Sequence, residues 1–179
     1  MAGSVAAQGA VAATGRARVR ACAWDYLVIS AWIGLLAVAG LGVRAVLPGE
    51  VTVGLPGTDL LAFACSVLPV WLYLTCTESG VRQASWGKRR AGLLVVEERG
   101  ARPGRGRVAV RNAVKLVPWQ LAHLAVARLL LGVAAPGVIG VTYGLSLVIP
   151  AVSVATAWRD PHHRGLHDLV AGTRVVPAA

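Results

Sequence analysis

The sequence predicts an all-α membrane protein, four transmembrane helices carrying a short cytoplasmic β-like pair, and three observations carry that prediction. Hydrophobic residues make up 56% of the 179 positions and charged residues 15%, against roughly 25% charged in ordinary soluble domains. A soluble globule does not fit, and neither does a disordered chain, which needs low hydrophobicity. The apolar residues also fall in long uncharged runs of spanning length. Finally, the 18 Lys and Arg, set against 8 Asp and Glu, gather in alternate segments between those runs. In a soluble chain that balance would point to nucleic acid. Here it marks cytoplasmic loops and anionic lipid headgroups, and no nucleic-acid partner is expected. The Arg, Ala, Val and Gly richness reads as the composition of a high-GC bacterial genome.

Residues 1–15 read as a disordered N-terminal tail ahead of one transmembrane domain over residues 16–176. The first helix, about 18–43, contains 18 uncharged residues from Tyr26 to Val43 behind Arg16, Arg18 and Arg20. Trp24 suits an interface, and Asp25 falls inside the span. The small-x-small run Ala37-Val38-Ala39 would also suit a secretory signal, but the apolar stretch is too long and Asp25 is out of place in one. The second helix, about 60–77, is uncharged and holds Pro69, tolerable where a neighbour satisfies the freed carbonyl. Arg44 to Asp59 between them reads as an outer loop.

From Glu78 to Lys115 the chain carries ten basic residues against three acids, which places loop 78–111 in the cytoplasm. The stretch from Leu129 to Trp158 is uncharged and too long for one span. Pro136-Gly137 divides it, giving helices at about 112–134 and 138–157 and a cytoplasmic tail over 158–179. Basic residues then lie on the inner side at every crossing except for Arg44. The expected product is a multi-pass protein of the cell inner (plasma) membrane with both termini in the cytoplasm. The alternative of a surface-lying third helix stays open, because Arg107, Arg111, Asn112, Lys115 and His123 share one broad face. Cys22, Cys65 and Cys76 read as buried thiols rather than a disulfide framework.

A charge in hydrocarbon costs about 2.5–3.5 kcal/mol on insertion scales, so Asp25, His123 and Arg128 each need a partner or a job. Arg128 is near enough to the outer end to snorkel. Asp25 is not, and its partner is expected among Arg18, Arg20, Arg111 and His123. An Asp25–His123 pair would make a proton-sensitive site, while the alternative is that each bridges local backbone through water.

Three stretches carry chemistry by resemblance. Arg18-Val19-Arg20-Ala21-Cys22-Ala23-Trp24-Asp25 resembles the opening of RDD-family membrane proteins, and Gly87-Lys88-Arg89-Arg90-Ala91-Gly92-Leu93-Leu94-Val95-Val96 is similar to the family's GKxxxGxxVV segment. His167-Asp168-Leu169-Val170-Ala171-Gly172-Thr173-Arg174-Val175-Val176 is similar to its HDxxAGTxVV ending, and Arg111 matches the Arg that opens its next helix. The family's Arg falls on Arg18, with Arg20 a competing choice, and its two Asp fall on Asp25 and Asp168. Ser85-Trp86 departs from the more usual Thr and aliphatic pair. The resemblance implies a polytopic bacterial membrane protein with a link to transport and no defined substrate.

Ala91-Gly92-x-x-Val95-Val96 recurs eighty residues on as Ala171-Gly172-x-x-Val175-Val176. The pattern reads either as duplication of a helical hairpin or as two strands that pair over Leu93–Val96 and Thr173–Val176. In the tail, Asp160-Pro161 would start a helix that sets His163 and His167 on one face, but no third ligand follows, so no metal and no cofactor is expected. The basic run from Arg99 to Arg111 reads as an anionic-lipid contact. No nucleophile elbow, phosphate loop or carboxylate pair appears, so the chain is not expected to be an enzyme. Two functions remain: an oligomeric transporter or ion exchanger with Asp25 titrating, or a membrane scaffold acting through its basic loop and tail.

Overall fold

The computed structural model describes residues 12–47 and 53–178. Most of the expected N-terminal tail (1–11) and part of the outer loop (48–52) lie outside the described residues. Helix α1 runs over Gly15–Val46, started by the Thr14 hydroxyl, which accepts from the Ala17 amide. The folded chain therefore begins ahead of residue 16: Ala13 is fully buried and donates to the Val175 carbonyl at 3.3 Å.

Helices α2 (Leu55–Ala62) and α3 (Leu68–Ser79) form one continuous rod through a π-helical turn at Phe63–Val67. Pro69 has no amide hydrogen for the Cys65 carbonyl four residues back, and Trp32 of α1 donates to that carbonyl at 2.9 Å. A neighbouring helix thus repairs what the proline removes.

The basic segment expected as loop 78–111 is largely ordered. It contains α4 (Trp86–Arg90), strand β1 (Leu93–Glu97) and the first two turns of α5 (Arg105–Leu130). Helix α5 starts seven residues before the expected 112 because Arg111 and Asn112 are buried against the rest of the fold, so the helix is set by packing and not by apolar periodicity. It stops short of 134, where Gly132 turns the chain at φ +62°. Helix α6 (Pro136–Arg159) begins on its proline, whose missing donor is harmless there. Helix α7 (Leu166–Ala171) and strand β2 (Thr173–Pro177) complete the chain.

Among the described residues three helical stretches are long and apolar enough to cross a membrane: Gly15–Val46, Leu55–Ser79 and Pro136–Arg159. Helix α5 has the length but carries Arg105, Arg107, Arg111, Lys115 and Arg128. Of the broad polar face expected on it, Arg111 and Asn112 face inward against the rest of the fold.

β1 and β2 pair antiparallel with Val95 opposite Val175, so the expected ladder forms. Val95 and Val175 are also equivalent under the eighty-residue repeat, which puts a local twofold between them. The flanking bonds obey it: Glu98 N donates to Gly172 O (3.2 Å) and Ala178 N to Gly92 O (2.8 Å), each group eighty residues from its counterpart. The same offset carries α4 onto α7 and the α2–α3 rod onto α6. Helix α1 packs on α4 as α5 packs on α7. Repetition is thus visible in element order and in hydrogen bonding.

The tail departs from expectation. Asp160 does not start a helix. Its Oδ1 accepts from the amides of His162 (2.8 Å) and Arg164 (3.2 Å), closing a turn in which His163 has φ +54°. With the helix beginning only at Leu166, His163 and His167 share no helical face. Among the described residues no group of three or more His, Cys, Asp or Glu is placed to hold a metal.

Candidate functional site

The polar side chains collect in two places: a network at the end that carries the ladder, and a smaller cluster halfway along the helices.

At the ladder end, Asp25 is buried, and both its oxygens face donors. Oδ2 accepts from the Ser85 hydroxyl at 2.6 Å, while Oδ1 accepts from the Gly87 amide at 2.8 Å and the Tyr73 hydroxyl at 3.3 Å. Lys88 Nζ stands 3.8 Å away. Gly87 permits this approach: a Cβ there would overlap the Ala21 carbonyl and the Asp25 carboxyl. Ser85 also caps α4, its Oγ accepting from Lys88 N at 3.3 Å. The position that departs from the family pattern therefore keeps a hydroxyl in use.

The expected Asp25–His123 pair does not form, and neither Arg18, Arg20 nor Arg111 takes its place. The cation beside Asp25 is Lys88, which α4 folds back onto α1. From Lys88 the chain of charges continues through Glu78, fully buried, which accepts from Lys88 Nζ (2.7 Å), Arg111 Nη1 (2.6 Å) and Asn112 Nδ2 (3.3 Å). Arg111 Nε then donates to Asp168 Oδ1 at 3.1 Å, an oxygen shared with the Thr173 hydroxyl at 3.1 Å. Arg18 Nη1 lies 3.6 Å from Asp168 Oδ2 and His167 Nε2 3.4 Å from it. The Arg and the two Asp that the resemblance singles out thus stand in one continuous network. Arg20 serves elsewhere, donating to the Ala91 carbonyl at 3.3 Å, and Arg107 does the same to Ala171 at 3.0 Å. Gly92 and Gly172 follow those alanines at φ +67° and +59°, the left-handed turn that opens each strand.

Asp168 titrates at about 2: burial opposes its charge, but Arg111, His167 and Arg18 outweigh burial. His167 is pushed down to about 3, first by burial and then by the positive field of Arg111 and the two lysines, against the pull of Asp168. In the tail turn, Arg164 holds Asp160 far below the usual carboxylate range and also reaches Glu98 beside β1.

The second cluster is built on the π-helical turn. Ser66, buried there, lies 3.1 Å from His123 Nε2 and donates to the Ala62 carbonyl at 2.5 Å. His123 Nδ1 faces the Trp119 carbonyl at 2.9 Å, which makes Nδ1 the protonated nitrogen. Nε2 is then the acceptor, met by Trp119 Nε1 at 3.3 Å, with the two rings near parallel. A second proton on His123 would sit on Nε2 and donate to Ser66, whose own hydrogen already points to Ala62. Gln120, one turn earlier, buries a side-chain oxygen that has no hydrogen-bond partner among the described residues. Towards the far end, Arg128 does not rely on snorkelling: it forms a two-pronged pair with Asp59 (3.3 and 3.2 Å) and donates to Leu124 O.

A sequence profile, described as the RDD family, matches residues 12–172, nearly the whole chain. The chain belongs to the RDD family. No curated protein and no solved structure matches it. In this RDD chain the sequence reading missed Glu78, Ser85, Tyr73 and Ser66. Glu78 was signalled by its place, a lone carboxylate closing an apolar helix. The other three are ordinary hydroxyls until the helices are packed.

Proposed function

We propose that this RDD protein is a four-span bacterial inner-membrane transporter or ion exchanger, both termini cytoplasmic, with His123 and not Asp25 as its proton-carrying group. The observation that carries the reading is His123 Nε2 lying 3.1 Å from Ser66 Oγ on a π-helical turn midway along a candidate spanning rod, since such turns recur at functional sites and an ionisable group at that depth needs a task. Asp25 is surrounded by donors and suits a clamp better than a group that must lose and regain a proton. Along α5 the charged residues on either side of the histidine are Lys115 and Arg128, the latter paired with Asp59. Self-association would cover the outer half of α1, whose residues are largely exposed.

The test is proton-coupled cation flux in proteoliposomes under an imposed pH gradient. Loss of flux in folded His123→Gln, with flux retained in whatever folded fraction Asp25→Asn yields, supports the reading. Unchanged flux in His123→Gln overturns it. Should the native protein carry no flux, the second reading gains: a membrane scaffold, favoured by the use of Arg18, Asp25 and Asp168 to knit one rigid basic face. Reporter fusions after Gly100, Pro136 and Ala179 should read inside, outside and inside, and an external C-terminus removes the four-span topology.

A further inference from the structure

Helix α1 is tied to the rest of the fold at Asp25, through α4, and again at Trp32, through the Cys65 carbonyl. Between those ties Ile29 is buried in one cluster with Val70 and Leu74 of α3, and beside that contact α1 and α3 leave a cleft of about 210 Å3, half open at the side. Its lining is almost wholly carbon, from Val28, Ile29 and Trp32 on one wall and Pro69, Val70 and Tyr73 on the other.

The mouth of the cleft has a different chemistry. Trp24, one turn before Val28 on the same stripe of α1, meets Trp86 edge-on at 5.4 Å. The Arg90 guanidinium lies 5.1 Å over the Trp86 ring, and Arg89 precedes it on α4, whose Trp86 amide donates to the Tyr73 hydroxyl at 3.0 Å. Both arginines are exposed. From mouth to floor the order is therefore guanidinium, indole, hydrocarbon. A phospholipid presents the matching order of phosphate, ester and acyl chain, and tryptophan favours the ester level of a bilayer.

We propose that this cleft is a binding site for one anionic glycerophospholipid, its acyl chain between α1 and α3 and its phosphate at Arg89 and Arg90. The two arginines select charge, because zwitterionic and anionic lipids share the same tails. The site is independent of any transport by His123.

The experiment is native mass spectrometry of the full chain released from nanodiscs of phosphatidylcholine containing a minor share of phosphatidylglycerol. Retention of phosphatidylglycerol above its share is expected, falling about fivefold for each arginine removed in R89Q and in the R89Q/R90Q pair. Val28→Trp, which fills the half-buried wall position, should abolish retention with both arginines in place. Thermal melting confirms that each variant is folded, and the smaller Val28→Phe replaces Val28→Trp if the latter is not. Equal retention of the two lipids, or retention unchanged in R89Q/R90Q, overturns the proposal. Loss in R89Q/R90Q with full retention in the filled cleft also overturns it, because the lipid is then held by surface charge alone.

Discussion

Asp25 shows what a buried carboxylate requires. Its two oxygens accept three hydrogen bonds from hydroxyl and amide donors, and an ammonium stands 3.8 Å away, all of which favour the ionised form. Asp25→Asn turns one acceptor into a donor facing donors. A loss of about 1–3 kcal/mol is expected, read as a lower melting temperature in detergent. Glu78→Gln should cost more, about 3–5 kcal/mol, because it leaves Lys88 and Arg111 buried with one partner fewer. His167 gives the pH dependence. Its folded value of about 3 lies below the ordinary 6.5, so between those limits the unfolded chain binds the extra proton and stability rises with pH. The contribution is complete above about pH 6.5 and is lost as pH falls toward 3. Melting temperature should therefore drop from pH 7 to pH 4, and His167→Gln should flatten that slope. A slope unchanged in the variant would assign it to other groups.

The elements show which parts of such a chain are legible in advance. The apolar rods were legible because eighteen uncharged residues leave few alternatives, and the ladder was legible because Val95-Val96 and Val175-Val176 follow glycines in a repeated phrase. The start of α5 was not legible. Arg105, Arg107 and Arg111 look like a solvated loop until Glu78 and Asp168 arrive from distant segments to receive Arg111, and only the folded chain brings those carboxylates together. The Asp25 partner was hidden for a related reason: Lys88 reaches it only because Gly87 allows α4 to touch α1. The two strand-opening glycines yield a matched prediction. Gly92→Ala and Gly172→Ala each place a Cβ in the left-handed region at a cost of about 1–2 kcal/mol. Gly172→Ala should be the worse, since its Cβ would also meet the Arg107 guanidinium at 2.8 Å, whereas Gly92 faces open space. Equal melting temperatures for the two variants would contradict that order.

At the scale of the whole molecule, the repeat divides the chain near Gly100, which turns at φ +84° in the segment between β1 and α5. Each half contributes two long rods, one short helix and one strand. What joins them is unusually explicit: the β1–β2 ladder, Glu78 to Arg111, Arg18 to Asp168, Asp59 to Arg128, and α3 packed on α5. None of these contacts depends on the peptide at Gly100, so covalent continuity there should be dispensable while the contacts are not. Residues 1–100 and 101–179 expressed together as separate chains are expected to insert and copurify. Either alone would leave Glu78 with Lys88 only, or Arg111 with Asp168 only, each a buried ion short of one partner, and should be degraded. Val96→Pro in the first half removes a ladder donor next to the twofold, at the Val96–Arg174 pair, and should prevent copurification, whereas the Val95 amide points away from β2 to the Gln83 carbonyl at 2.8 Å. If the halves copurify equally well with that proline, then the helices and not the ladder hold the repeat together.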